Sequence, residues 1–218
     1  VSGLADYLRQ NEDAVLAALR EHLELALLPV VVGLLLAVPV GALAHRYRLL
    51  RPPLLGVTSV LYAVPSLALF VVLPGILGTR ILDPVNIVVA LSVYTFALLV
   101  RTVVDGLGSV PPAVTAAATA VGYRRGRRLL QVELPVALPV VLAGLRVATV
   151  SNVSLVSVGA LLGVGGLGEL FTSGFQLDYT PPIVVGIVLS VALALLLDTA
   201  IVLAQRALTP WVRAGEAR

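Results

Sequence analysis

The sequence predicts an all-α integral membrane protein with about five transmembrane helices, and three observations carry that prediction. Of its 218 residues, 59% are hydrophobic and only 12% charged, with a mean hydropathy of +1.03. A soluble domain is nearer half apolar and about a quarter charged. Five stretches reach the roughly 20 residues needed to cross a hydrocarbon layer of about 30 Å. The arginines gather beyond alternate ends of those stretches, as they do in multi-span proteins. Within lipid the backbone must satisfy itself, and at this hydrophobicity only helices do so.

Taken in order, the spans run approximately Leu23–Leu43, Leu54–Leu77, Val85–Val104, Val136–Leu162 and Ile183–Gln205. Ahead of the first, "NEDAVLAALREHLEL" carries Val15, Leu16, Leu19 and Leu23 at helical spacing between acids and Arg20. This reads as an amphipathic interfacial helix, so residues 1–22 are expected to lie on the outer surface and lead into span one. Span one has no cleavage-site pattern and is expected to stay as an anchor. In span three, Arg101 and Asp105 stand four apart, the spacing of a helical ion pair. A long polar connector, residues 106–135, separates spans three and four, whereas the other connectors are short.

Orientation follows from the arginines. Arg46, Arg48, Arg51, Arg101, Arg124, Arg125, Arg127, Arg128, Arg206, Arg213 and Arg218 fall on one side, and only Arg9, Arg20 and Arg80 on the other. The crowded side is therefore expected to be cytoplasmic, with the N-terminus outside and the C-terminus inside. The basic residues are topology signals, and the pI near 9.7 gives no reason to expect a nucleic-acid partner.

Composition excludes several chemistries. There is no cysteine, hence no disulfide, thiol nucleophile or Cys-ligated metal. All fifteen basic residues are arginine, and a phosphate-binding Walker A loop needs a lysine. His22 and His45 flank opposite ends of span one and cannot share a metal, so no metal site is expected. No nucleophile–base pattern is visible either. "GVGGLG" at 163–168 fits a dinucleotide fingerprint letter for letter, but it follows a membrane helix and not a strand. Gly163, Gly165, Gly166 and Gly168 are instead expected to form a tight outer break or gate where backbone packs closely, and Gly159 with Gly163 adds a small-xxx-small face.

Intramembrane polar residues are costly and therefore informative. Arg146 in span four and Asp198 in span five lie at matched depth, roughly 10–15 Å from the arginine-rich side, and are expected to form an ion pair. Span four also carries Ser151, Asn152, Ser154 and Ser157, which either hydrogen-bond neighbouring helices or line a path. With Tyr62, Pro65 and Ser66 of span two, Ser151, Asn152 and Ser154 are the candidate pathway residues.

The connector explains the rest. In "TAAATAVGYRRGRRLLQVELP", Ala117, Ala118, Gly122, Val132, Leu134 and Pro135 fall at the spacing of the EAA loop, and the segment resembles that loop in ABC-transporter permeases. Ala116 stands where that family usually has Glu. "AVPSLALFVVLPGILG" resembles a segment of permeases for glycine betaine, choline and related osmoprotectants. "VYTFALLVRTVVDGL" is similar to another, with Leu98 for a proline and Thr102 for an asparagine. "GALLGVGGLGELFTSGF" matches a later segment, although the GGLG run also occurs in methionine-type permeases.

The resemblance implies the type I importer permease fold and the bacterial cytoplasmic membrane. It implies a cytoplasmic coupling helix around Ala116, Ala117, Ala118, Gly122, Tyr123, Arg124, Arg125, Leu134 and Pro135, docked on an ATPase. The implied partners are a second permease subunit (identical or paralogous), two cytoplasmic ATPase subunits, an extracytoplasmic binding protein and membrane lipid. ATP and Mg would bind those ATPases, with no cofactor on this chain. A permease for an amino acid such as methionine, or a membrane anchor for an ATPase that transports nothing, is the competing reading.

Overall fold

The chain folds around one central membrane helix against which the others are laid. The structure, a computed structural model, describes residues 2–212. Arg213 and Arg218, counted above among the clustered arginines, lie outside the described residues. Ten helices are found among them: α1 (Ser2–Gln10), α2 (Glu12–Arg46), α3 (Arg51–Ala63), α4 (Ser66–Leu77), α5 (Pro84–Gly108), α6 (Pro112–Ala120), α7 (Arg125–Arg128), α8 (Leu134–Gly159), α9 (Gly168–Gln176) and α10 (Thr180–Leu208). A π-helical turn, Leu129–Glu133, joins α7 to α8 without a break.

Four of these helices are long and apolar enough to cross a membrane, and five spans result if the bent α3–α4 pair counts as one. The predicted number therefore holds, but two elements differ from expectation. The interfacial segment is not separate: α2 runs unbroken from Glu12 through Arg46, and the chain breaks at Asn11. Thirty-five residues rise about 52 Å at 1.5 Å each, well beyond a hydrocarbon layer, so α2 projects past it. The face holding Val15, His22 and Leu25 is buried against the bundle, so this segment continues span one instead of standing apart from it, while Leu16 stays exposed.

The second expected span is two helices at 101°. Pro65 lacks a backbone N–H and drives its predecessor out of the helical region. Val64 and Pro65 are accordingly extended, with ψ of 132° and 130°. A carbonyl freed at such a break is costly in lipid. The Val64 carbonyl is met by the Tyr94 hydroxyl from α5, and Tyr62 packs edge-on against the Tyr94 ring, centroids 5.9 Å apart.

Helix α5 is the hub, packed by α2, α3, α4 and α8. It starts where Asp83 accepts a hydrogen bond from the Val85 N–H at 3.0 Å, an N-cap that satisfies one orphan donor. Helix α2 runs parallel to it along a small-residue stripe, Gly33, Ala37 and Gly41. A Cβ on Gly33 would come within 2.5 Å of Thr95 Cγ2, and one on Gly41 within 2.7 Å of Val103 Cγ1. Backbone approach this close is how membrane helices gain packing where no hydrophobic drive separates protein from lipid. Helix α8 runs antiparallel to α5, with Gly144 against Thr102 and Gly159 against Ile87. Helix α10 packs chiefly on α8 and α9, with α1 at its end, and among the described residues much of its apolar outer face is left open.

Candidate functional site

Two regions of this scaffold carry chemistry: the connector at the arginine-rich end and the polar face beside the α3–α4 break.

The connector is a folded unit. Pro111 and Pro112 start α6, where a missing N–H costs nothing. The chain leaves α6 at Gly122, whose φ is +90°, with no atom within 4 Å of where a Cβ would stand. Glycine is needed there for its backbone conformation, not for space. Tyr123 N–H then closes back on the Ala118 carbonyl at 3.0 Å. Ala118 is buried, while Ala116 and Ala117 face outward.

One arginine of the cluster has a role that its place in the sequence does not show. Arg128 Nε donates to Glu133 Oε1 at 2.6 Å, and its Nη1 donates to Thr119 Oγ1 at 2.8 Å. Glu133 is only 7% exposed, so this charge-assisted bond ties α6 to the root of α8. The signal available was Glu133 itself, a lone acid five residues after an arginine. Arg127 lies over the Tyr123 ring at 5.3 Å and also donates to Gln131. Arg124 and Arg125 are exposed and have no ion-pair partner among the described residues. Val121 and Leu130, 76% and 67% exposed, add apolar surface beside them. Leu134 and Pro135 begin α8 and are half-buried.

The candidate pathway residues are not equivalent. Tyr62 and Pro65 are exposed and Ser66 half-buried, all at the break. Ser154 is exposed and Ser151 half-buried on α8, and neither is hydrogen-bonded to the break. Asn152 has to be corrected: it is 2% exposed, and its amide donates to Thr95 Oγ1 at 3.0 Å and to the Ala26 carbonyl at 3.3 Å. It joins α2, α5 and α8 from inside their packing and does not face an open path.

The pairing of Arg101 with Asp105 also fails. Asp105 accepts from Arg51 Nη2 at 3.3 Å, across from α3. Helical spacing permits a pair but does not require one, and the start of α3 brings a second arginine to the same acid. Arg101 is left exposed beside Thr58, Ser59, Tyr62 and Thr102 around a cavity of about 310 Å³.

Arg146 and Asp198 meet in a bidentate fork, Nε to Oδ1 at 2.7 Å and Nη2 to Oδ2 at 2.9 Å, and fasten α8 to α10. At the far end, the glycine loop is held by two side chains of α2. Glu21 accepts from Gly166 N–H at 3.1 Å, and His22 Nδ1 accepts from Leu167 N–H at 3.2 Å. His22 Nε2 lies 3.0 Å from the Val153 carbonyl. Since Nδ1 accepts and Nε2 must donate, the ring is the neutral tautomer protonated on Nε2. Gly163 and Gly166 have φ of +81° and +83°, so the tight break expected here is present. Gly165 comes close to Glu21 and Gly168 to Ser157. Glu169 is exposed, but partial desolvation and the neighbouring Glu21 push its carboxyl above its usual value.

An all-helical bundle with a bent second span, a folded connector and no strand among the described residues is the architecture of a multi-pass membrane protein. The profile of the family described as "Binding-protein-dependent transport system inner membrane component" matches residues 30–214, and the chain belongs to that family. It is therefore an inner-membrane component of a transport system.

Among its relatives, the osmoprotectant import permease protein OsmW of Salmonella typhimurium is 32% identical over 207 residues, covering 94% of this chain and 96% of that one. The choline transport system permease protein OpuBB of Bacillus subtilis is 29% identical, covering 95% and 94%. In a solved structure of the MetNI methionine ABC transporter in inward-facing conformations, one chain superposes with a TM-score of 0.78 at 24% identity, covering 89% of this chain and 95% of that one. That likeness shows the fold alone.

Proposed function

We propose that this chain is the membrane-spanning permease subunit of an ATP-driven importer of osmoprotectants such as glycine betaine, choline or carnitine. The observation that carries the substrate class is near end-to-end similarity to permeases of that class, at 32% identity over 94% of the chain. The methionine transporters share the fold at lower identity and carry no argument about substrate. ATP hydrolysis belongs on separate ATPase subunits in this reading, since the chain has no lysine for a phosphate-binding loop.

The connector supplies the coupling. Its arginine-rich end faces the cytoplasm in this reading, and Val121, Leu130, Ala116 and Ala117 offer an apolar patch ringed by Arg124 and Arg125. Such a patch with a charged rim suits a protein partner. The clamp from Arg128 to Glu133 and Thr119 transmits movement of the docked segment to α8. Two permease subunits frame the path, because one chain with five spans and a solid α5 hub encloses no conduit. A binding protein delivers substrate at the glycine-loop end, and alternating access follows from rocking of the two subunits.

The test is ATP-driven uptake in proteoliposomes holding the permease with its ATPase and binding protein. Labelled glycine betaine accumulates and labelled methionine does not. ATP-driven methionine uptake without betaine uptake refutes the substrate class. Gly122→Ala, which forces an L-residue to a positive φ, uncouples hydrolysis from uptake, while Gly126→Ala, equally open but without positive φ, leaves it intact. Uptake unaffected by Gly122→Ala removes the coupling role.

A further inference from the structure

Arg101 lies seven residues before the end of α5, which places it about 10 Å above the arginine-rich end at 1.5 Å per residue. An arginine at that depth is not stable facing lipid unless it snorkels, pairs or meets water. It makes no pair among the described residues: Asp105, one turn below, is taken by Arg51. What surrounds it is a cavity of about 310 Å³ lined by Thr58, Ser59, Tyr62 and Thr102, at the small end of the range for ligand sites.

The hydrogen-bond inventory of that cavity is lopsided. Thr58 and Ser59 both donate to the Leu55 carbonyl, at 3.1 and 2.7 Å, and Thr102 donates to the Leu98 carbonyl at 3.1 Å. Their protons are committed to their own helices. The spare donors are the Arg101 guanidinium and the Tyr62 hydroxyl, neither of which is hydrogen-bonded among the described residues. No acid lines the cavity. It therefore presents a net positive charge and a donor fork at one place, and the face of an exposed aromatic ring at another.

We propose that Arg101 and Tyr62 form a transport subsite for zwitterions bearing a carboxylate and a quaternary ammonium, and that Arg101 selects them over cations lacking a carboxylate. The guanidinium accepts the carboxylate through paired charge-assisted bonds. The ammonium rests on the Tyr62 ring by cation–π attraction. A ligand of charge +1 without a carboxylate meets only repulsion from Arg101. This rests on the osmoprotectant reading and narrows it to betaine-type molecules, with choline disfavoured at this point of the path.

The test uses the full chain in phosphatidylethanolamine nanodiscs, whose headgroup has no quaternary ammonium, titrated with glycine betaine, its methyl ester and choline, with binding read by saturation-transfer difference NMR. The ester keeps the ammonium and removes the negative charge. Glycine betaine binds at least about tenfold tighter than the ester or choline, the scale expected for a charge-assisted hydrogen bond. Arg101→Gln abolishes that preference and Arg101→Lys weakens it without inverting it. If Arg101→Gln does not assemble, the comparison of acid with ester on the unaltered chain decides alone.

Equal affinity for acid and ester, no binding of either, or a preference unchanged in Arg101→Gln overturns the proposal. So does a preference that disappears in nanodiscs containing phosphatidylglycerol, which would assign Arg101 to a lipid headgroup. ATP-driven betaine uptake by the assembled importer, alongside any of these failures, leaves the transport reading standing and removes only this subsite.

Discussion

Replacing His22 with alanine tests how the glycine loop is held. The imidazole is fully buried and bonds two elements, accepting from Leu167 N–H at 3.2 Å and reaching the Val153 carbonyl at 3.0 Å. Val153 lies inside α8, so its carbonyl keeps its helical bond, whereas Leu167 N–H loses its acceptor. An orphaned buried donor costs about 1–3 kcal/mol, and the space left by the ring adds to it, for a total of about 2–4 kcal/mol. The loss is local to the loop. About 2 kcal/mol corresponds to a roughly 30-fold faster exchange of the Gly166 and Leu167 amides, measurable by hydrogen–deuterium exchange mass spectrometry of the 160–170 peptide. His22→Asn places an acceptor near the position of Nδ1 and shows a smaller increase. Unchanged exchange in His22→Ala, or an equal effect of Asn and Ala, refutes the latch.

The remaining predictions concern packing and charge. Gly41→Ala puts a methyl within 2.7 Å of Val103 Cγ1 and should destabilise the bundle by about 1–3 kcal/mol in thermal unfolding, with Gly33→Ala alike and Gly56→Ala, which meets nothing, neutral. Arg146→Gln and Asp198→Asn each impair assembly on size-exclusion chromatography, and the double variant is milder than the two losses added; strict additivity argues against coupling. Glu169, raised by burial and by Glu21, favours the fold in its protonated form, so its contribution is complete at low pH and is lost as the pH rises through the raised value. Glu169→Gln should raise the Tm at pH 8 and leave it unchanged below about pH 3, where the carboxyl is protonated both folded and unfolded.

Much of this architecture was legible because lipid allows so few solutions. Run length marks the spans, and the resemblance of the connector to the EAA loop points to Gly122. The departures come from geometry that sequence distance does not encode. Leu54–Leu77 reads as one span, so the 101° bend inside it is not foreseen, nor is the hydroxyl that Tyr94 brings to the Val64 carbonyl from thirty residues away. Arg101 and Asp105 have the spacing of a pair, yet Arg51 arrives from another helix and takes the acid. Asn152 is equally consistent, by position in the chain, with a path or a packed interface, because helix rotation decides which way a side chain points. His22 gives no signal, since a lone histidine beside a span is ordinary until its two nitrogens are matched to partners.

The π-helical turn between Arg128 and α8 sets a rotational phase. Each residue added to or removed from a helix turns the chain beyond it by about 100°. The wide turn fits one residue more than an α-turn into about the same rotation, so it absorbs that residue and keeps the connector in phase with α8. A residue lost inside it would be taken up as the turn relaxes to α, whereas one lost from the α-helical run just beyond, such as Val136, has no such buffer and would swing the connector about a quarter-turn around the α8 axis. The facing of the connector can thus be changed through phase alone, with composition and hydrophobicity almost unaltered.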